Sequence, residues 1–385
     1  MNCKQYLFAI FIILSLSVHS QTSINYIFSQ IEQNNAGLQY MQQATLAAKT
    51  GNKTINNLKN PSFSYSHKYH DEQISVSQSF DFPTAYYYRS QVNKLKGKQL
   101  DVLYEKYRQE LLLTAKLTCL NIIFLNQQNE VLHTRHQNAI DLAALYQERV
   151  NEGKSDPLEK NKIDLERINT EANLKSVEAS LMSARSQLQA LNGGIPLEFD
   201  LLAYTDTTLD INLSEVQQAF LSSDYKLIAQ HLTTEINRKE ITVTRTNSLP
   251  DIEIGIKKNI LYDHTPGYSV GLSLPLFENR NKLKVAKLNL TASKLQGENV
   301  ARELESECDQ LVIQYNSLKE SLIQFRRLFK TQNNLDIINK YIHNENITMI
   351  DYFVELNSYY ASLETLLELE NQFQIVSAKL QKYKL

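Results

Sequence analysis

Seven prolines divide the chain, and none falls inside a long periodic segment: Pro61, Pro83, Pro157, Pro196, Pro250, Pro266 and Pro275. Proline lacks a backbone donor and its ring clashes with the preceding turn, so these positions read as helix boundaries. The segments between them are very unequal. From Thr84 to about Asn151, roughly 68 residues run without proline, and Gly97 is their one glycine. At about 1.5 Å per residue that is a helix roughly 100 Å long. Ser23 to about Leu58 and Leu158 to Asn192 each read as a helix of roughly 35 residues. Two such helices end to end match the long one.

The pattern then recurs. Two strands are expected between Ser62 and Phe82 in the first half, and between Asp251 and Leu276 in the second. Second-half helices are expected from Ser214 to about Asn247, from about Asn279 to Asn344, and from Ile350 to about Lys384. Pro61 corresponds to Pro250, the run Ile74 to Phe80 to Tyr268–Leu274, and Asp156-Pro157-Leu158-Glu159 to Thr348-Met349-Ile350-Asp351. Chance likeness among helices would not also align the strands. We read an internal duplication with a period near 190 residues: a first repeat over 21–200, a linker over 201–213 and a second repeat over 214–385. In each half one uninterrupted helix can lie beside two shorter ones, with the strand pair at one end and a hinge at the other. Such a unit is a tall wall.

The helices carry heptad-like stripes: Leu174, Val177, Leu181, Ala184, Leu188 and Leu191, and later Phe353, Leu356, Tyr360, Leu363 and Leu367. These suit knobs-into-holes packing, and taken alone they also fit an ordinary coiled coil.

The strands separate the two cases. Phe63, Tyr65, His67 and Tyr69 alternate with Ser62, Ser64, Ser66 and Lys68; after a turn expected at Asp71-Glu72, Ile74, Val76, Gln78 and Phe80 alternate with serines. Ile252, Ile254 and Ile256 alternate with Asp251, Glu253, Gly255 and Lys257, and Tyr268, Val270, Leu272 and Leu274 with Ser269, Gly271 and Ser273. Period two gives one apolar face and one polar face. Each run is about 8 to 10 residues, the length that a tilted strand needs to cross a bilayer. We therefore expect Phe63, Tyr65, Ile74, Val76, Phe80, Ile252, Ile254, Val270, Leu272 and Leu274 to face lipid, and the small hydroxylic face to line a wet lumen. Tyr86, Tyr87 and Tyr88 are expected as an aromatic girdle at the boundary. A half-buried sheet in a soluble domain is the alternative.

Four strands do not close a barrel, and open edges in lipid leave unsatisfied backbone groups. Several copies must then share one barrel. Two give eight strands, which side chains nearly fill; three give twelve and a usable pore.

Composition excludes other classes. A slightly polar mean hydropathy rules out a bundle of transmembrane helices, and a net charge of −2 gives no nucleic-acid surface. Residues 1–20, with Lys4, the apolar stretch Tyr6–Val18 and the small residues around Ser20, read as a secretory signal peptide, the alternative being an N-terminal anchor. Cys3 precedes that stretch, so a lipoprotein-type acylated cysteine is not expected. Cys119 and Cys308 have no metal-ligand spacing and read as small core residues, with the question of their pairing open. His133 and His136 stand three apart on a helix, and solvated surface residues are the favoured account over a metal site. His67 and His70 lie beside the first strand turn. No phosphate-cradling loop, Cys-x-x-Cys pair or nucleophile elbow occurs, so no enzyme, cofactor or metal is expected.

Over about residues 22–385 the chain resembles the outer-membrane efflux protein family, the TolC-like channels. Its most specific parts are the hinges, Arg149-Val-Asn-Glu-Gly-Lys-Ser-Asp-Pro-Leu-Glu159 and Tyr341-Ile-His-Asn-Glu-Asn-Ile-Thr-Met-Ile-Asp-Tyr-Phe353, and the run from Ser269 to Phe277. In the second hinge Glu345 replaces the family's usual glycine. The resemblance implies a mainly α fold with a small β part: a long α-helical barrel plus four membrane β-strands per protomer, internally duplicated. It implies a homotrimer in the outer membrane whose helical part lies in the periplasm. The hairpin tips, Gly153, Lys154, Ser155, Asn346, Ile347 and Thr348, would meet a periplasmic adaptor protein and, through it, an inner-membrane pump. Asp351 matches an acidic residue at the periplasmic entrance, with Glu159 its repeat counterpart and Asp156 beside it. A plain helix-start acid, favoured by the helix dipole, is the competing account of each. The function expected is a passive exit channel of a tripartite efflux or type I secretion system. A periplasmic coiled-coil adaptor, or a structural helical protein without a pore, is the alternative.

Overall fold

Pro83 takes the first helical position of α3 (Pro83–Asn151), and Pro157 that of α4 (Pro157–Leu191). The missing N–H costs nothing there, because the first helical donors have no partner within the helix. A computed structural model describes residues 23–69, 71–205, 209–260, 266–275, 277–331, 337–338, 340 and 348–385. Both helices end in the same way. Gly153 N–H donates to the Val150 carbonyl and Lys154 N–H to Arg149; Gly193 N–H donates to Ala190 and Gly194 N–H to Gln189. These are Schellman closures, and they need a left-handed residue where Gly153 has φ 69° and Gly193 has φ 67°. Gly193 is doubly constrained, since a Cβ there would collide with the Asn34 carbonyl oxygen.

The remaining elements are α1 (Ile24–Asn34), α2 (Ala36–Thr54), β1 (Ser62–Lys68), β2 (Asp71–Phe80), α5 (Leu213–Ser222), α6 (Tyr225–Thr246), β3 (Asp251–Asn259), β4 (Pro266–Ser273), α7 (Lys282–Thr331) and α8 (Met349–Leu380), followed by a 3-10 turn at Lys382–Lys384. The sheet has the order β1-β2-β3-β4 with every pair antiparallel. Three sequence expectations are corrected. The helix expected from Ser23 to Leu58 is broken at Asn35, and the one from Ser214 to Asn247 at Ser223-Asp224. The first strand turn precedes Asp71, and Asp71 and Glu72 pair within the ladder with Lys68 and His67.

The two helix breaks have a physical cause: each supplies an N-cap that also grips the end of another helix. Asn35 accepts from Leu38 N–H at 2.8 Å and donates through its amide nitrogen to the Leu191 carbonyl at 2.7 Å. One side chain thus satisfies an orphan donor of α2 and an orphan acceptor of α4. Asn34 and Asn192 close the joint at 3.0 Å. In the second half, Asp224 caps α6 by accepting from Lys226 and Leu227 N–H, and Lys382, just past α8, reaches its other oxygen at 2.9 Å. The columns α4–α2 and α8–α6 are therefore stacked end to end. The long α3 packs against α2, α4, α6 and α8, and α7 packs against α6 and α8.

Among the described residues, the three larger apolar clusters lie along this wall. One joins Ile27, Ile31, Cys119, Ile122, Ile123 and Phe199; the second joins Phe220, Cys308, Leu311, Tyr315 and Phe373; the third, near the tips, joins Ile163, Tyr352 and Leu356. Both cysteines are buried and free, in separate clusters. Burial pushes the Cys119 thiol up to about 12, so it stays protonated and inert.

Where sheet meets helices, one charged cluster ties four chain segments. Lys59, ahead of β1, pairs with Asp81 after β2 at 2.9 Å and with Asp251 at the start of β3. Arg89 of α3 pairs with Asp81 and donates to Asn247 at 2.7 Å. Burial alone would raise the Asp81 carboxyl, but hydrogen bonds from Lys59 and Arg89 hold it below the usual carboxylate range. Bonds to Asp251 and Asp81 raise Lys59. The Asp81 contribution is thus present above the unfolded carboxylate value near pH ~4, and is lost as pH falls through the lower folded value. That of Lys59 is present below pH ~10 and lost as pH rises through its raised value. Asp81→Asn should cost about 2 kcal/mol at pH 7, the range for hydrogen bonds to charged groups. Thermal unfolding of both proteins across pH will check this: the curves should converge in acid.

Candidate functional site

Cross-strand register decides what the sheet presents. Phe63, Val76, Ile256 and Tyr268 fall in one row; Gln78, Ile254 and Val270 in the next; Phe80, Ile252 and Leu272 below them. Tyr65, Ile74, Lys258 and Pro266 form the row nearest the strand turns. The residues expected to share an apolar face are thus brought together, and Leu274 continues that face just past β4. Most of them stand in the open: Phe63, Tyr65, Val76, Ile254, Val270, Leu272 and Leu274 are exposed. No described element covers them, so among the described residues the sheet is not half-buried.

The opposite face is small and polar. Ser62 and Ser77 hydroxyls meet at 2.7 Å, and Ser64 and Ser75 at 2.6 Å. Gly255 lies in the row with Ser77 and Ser269, where a Cβ would stand 2.8 Å from the Ser269 hydroxyl and 2.9 Å from the Ser77 Cβ. Any side chain at 255 would force the wall apart.

Of the three tyrosines after Pro83, Tyr87 projects outward. Tyr86 accepts from Asp81 N–H at 3.1 Å, and Tyr88 packs on the Val92, Ile236 and Val243 cluster. Phe277, past β4, is exposed near the same end of the sheet.

At the far end of the helices, the tip residues serve as caps. Asp156 accepts from Leu158 N–H at 2.8 Å, and the Ser155 hydroxyl donates to Glu159 at 2.6 Å. Thr348 accepts from Asp351 N–H at 3.2 Å and donates to its carboxylate at 2.6 Å, a reciprocal cap at the start of α8. Glu159 and Asp351 thus occupy matching first-turn positions, each held by a hydroxyl one turn earlier. Lys154 pairs with Glu152 at 2.9 Å. Asn346 and Ile347 lie outside the described residues, as does Glu345.

One cluster escaped sequence reasoning. Arg135 of α3 donates to Glu166 of α4 at 2.7 Å and to Asn357 of α8 at 2.8 Å, with its guanidinium 4.8 Å from the Tyr360 ring. It ties three helices in the half nearest the tips. Among the described residues the histidines form no site. His133 faces Glu178 at 4.0 Å, His136 faces Thr170 at 3.0 Å, and His67 pairs with Glu72 at 3.0 Å; His70 lies outside the described residues. Among the described residues, no group of three His, Cys, Asp or Glu could hold a metal ion, and no helix is long and apolar enough to cross a membrane.

No protein-family model matches the sequence, and no curated protein matches it. Solved structures do. CusC, whose crystal structures concern folding and transmembrane channel formation, superposes with a TM-score of 0.77 at 15% identity, covering 94% of this chain and 92% of that one. The outer membrane protein VceC of Vibrio cholerae gives 0.70 at 14% identity, covering 94% and 93%. The CmeC outer membrane channel of Campylobacter jejuni gives 0.69 at 13%, covering 94% and 85%. The likeness is one of fold: TolC-like, mainly α, with a small four-stranded antiparallel part.

Removing the α8 cap with Thr348→Ala should cost about 1 kcal/mol, the usual value of such a cap. Hydrogen exchange should then quicken in the first turn of α8 while the Arg135 region is unchanged.

Proposed function

We propose that this chain, which has the fold of those outer-membrane channels, is one protomer of a homotrimeric outer-membrane exit channel. Its sheet contributes four strands to a shared twelve-stranded barrel, and its helices line a tunnel that reaches into the periplasm. The observation that carries the reading is the sheet itself: an apolar face most of whose side chains stand exposed, a hydroxyl and glycine face behind it, and edges at β1 and β4 that no described strand pairs. Unpaired edges are prohibitive in lipid, and further copies supply the missing partners. The ten apolar residues expected to face lipid do so in this arrangement, and the serine face lines the lumen.

Each chain is built from two repeats, 21–200 and 214–385, joined by the linker 201–213, with 1–20 removed as a signal peptide. The tips at Gly153, Lys154, Ser155, Asn346, Ile347 and Thr348 meet a periplasmic adaptor and, through it, an inner-membrane pump. Asp156, Glu159 and Asp351 ring the entrance, where like charges select for cations and resist close approach of the helices. Conduction is passive, and the partner pump drives transport.

Purified protein in planar bilayers tests this. The Asp351→Ala, Glu159→Ala double variant, with its entrance loosened, should give discrete conductance steps whose cation preference is weakened, Asp156 alone of the ring remaining. Complete absence of steps would defeat the proposal. As an independent check, Ile254→Lys on the apolar face should cost about 2–4 kcal/mol, as charges do at the bilayer midplane. It should deplete trimers from outer-membrane fractions, whereas Ser64→Lys on the opposite face should not.

A further inference from the structure

The polar face of the sheet is almost free of charge, and its exceptions are arranged. Serine and glycine dominate it: Ser62, Ser64, Ser75, Ser77, Gly255 and Gly271. Its other ionisable residues lie at the two ends. Lys68 stands opposite Asp71 in the register beside the strand turn, and Asp251 is bound by Lys59 at the helix end. Between these ends, among the described residues, the face carries one carboxylate and one ammonium, Glu253 and Lys257, both on β3. Both are exposed, and neither forms an ion pair among the described residues. They are four residues apart, hence on the same face and separated by roughly 13 Å along the strand.

Their neighbours leave them unscreened. Glu253 stands between Ser79 and Gly271, and a Cβ at Gly271 would lie 3.6 Å from the Glu253 Cβ. Lys257 stands between Ser75 and Gly267. With small neighbours on both sides, each charge extends over the wall and has no local counter-ion. The gap of roughly 13 Å exceeds the screening length of about 10 Å at 0.1 M salt but falls within the roughly 30 Å of 10 mM salt, so the two charges act separately at the higher ionic strength and as one dipole along the wall at the lower.

We infer that the barrel contains a bipolar charge filter. Resting on the trimeric channel reading above, three copies place a ring of Glu253 toward the helical tunnel and a ring of Lys257 toward the outer mouth. A solute moving outward meets carboxylates first and ammoniums second. Mobile cations gather at the inner ring and anions at the outer. A field that drives both species toward the boundary between the rings fills it with ions, and the opposite field empties it. The barrel therefore rectifies current. It also opposes the return of small anions through the inner ring and of small cations through the outer.

Single trimers in planar bilayers will decide, recorded in the Asp351→Ala, Glu159→Ala background so that the entrance does not limit current. Ring potentials of order kT change local ion concentration severalfold, so at about 10 mM KCl the currents at opposite polarities should differ about twofold or more. In 1 M KCl, where the screening length is about 3 Å, the asymmetry should vanish. Lys257→Ser should abolish it, and the exchange Glu253→Lys with Lys257→Glu should reverse its sign. Lys258→Ser, one residue on and on the apolar face, should leave it unchanged. These substitutions lie on an open surface without side-chain partners, so heat-modifiable trimers should persist. Trimers that conduct with symmetric currents at low salt, or whose asymmetry responds to Lys258 and not Lys257, would overturn the filter and leave the channel standing. Absence of any conductance steps would remove the channel reading and the filter with it.

Discussion

A four-stranded antiparallel sheet has two edges, and here they are β1 and β4. Each carries a row of backbone donors and acceptors that no described strand pairs. In water that is a tolerable hazard; in hydrocarbon it is prohibitive. This one requirement orders the rest of the proposed assembly. Copies that close the sheet into a barrel must bring their helices into a ring as well. Those helices have apolar residues that stand largely exposed in the single chain, such as Leu158, Leu165, Ile168 and Met182 on α4 and Val285, Leu288, Leu295 and Ile313 on α7. Ring closure in the membrane and burial of these stripes are then the same event.

The helices reach the sheet through a joint that is electrostatic rather than apolar. Lys59, Asp81, Arg89 and Asp251 gather the four segments entering and leaving the strands. Their geometry has a consequence for the strands: the tie at Asp81 and Asp251 fixes where the period-two pattern starts. A slip of one residue would turn the apolar face inward and the serine face outward. The register is thus anchored at the helix end.

Much of this was legible in the sequence, for reasons that differ by element. Pro83 and Pro157 mark helix starts because proline has few other places in a helix. The alternation in β1 to β4 reports two-sided solvation directly. The breaks at Asn35 and Ser223-Asp224 were missed because the apolar periodicity continues across them. The signal was present, since Asn34-Asn35 and Ser222-Ser223-Asp224 are N-cap residue types, but such residues are equally at home on a solvated helix face. The first strand turn was misplaced for a related reason: Asp71 and Glu72 look like turn residues and are in fact held in the ladder opposite Lys68 and His67. The Arg135, Glu166 and Asn357 link joins residues on three helices far apart along the chain, and no spacing rule encodes that. At the tips, the sequence located Glu159 and Asp351, and only coordinates could reveal that hydroxyls hold both.

The two stacked joints deserve a mechanical description. At each, the negative end of one helix abuts the positive end of another, so the dipoles attract while no backbone crosses. A continuous helix transmits torque; two helices meeting at a cap do not. Rotation applied to α4 or α8 at the tips is therefore absorbed at Asn35 or Asp224, and α2 and α6 near the sheet need not follow. Only α3 and α7 carry twist as unbroken shafts from one region toward the other. The joints work as swivel bearings, one built of neutral amides and the other of a charged pair, and they let one end of the molecule turn while the opposite end stays anchored.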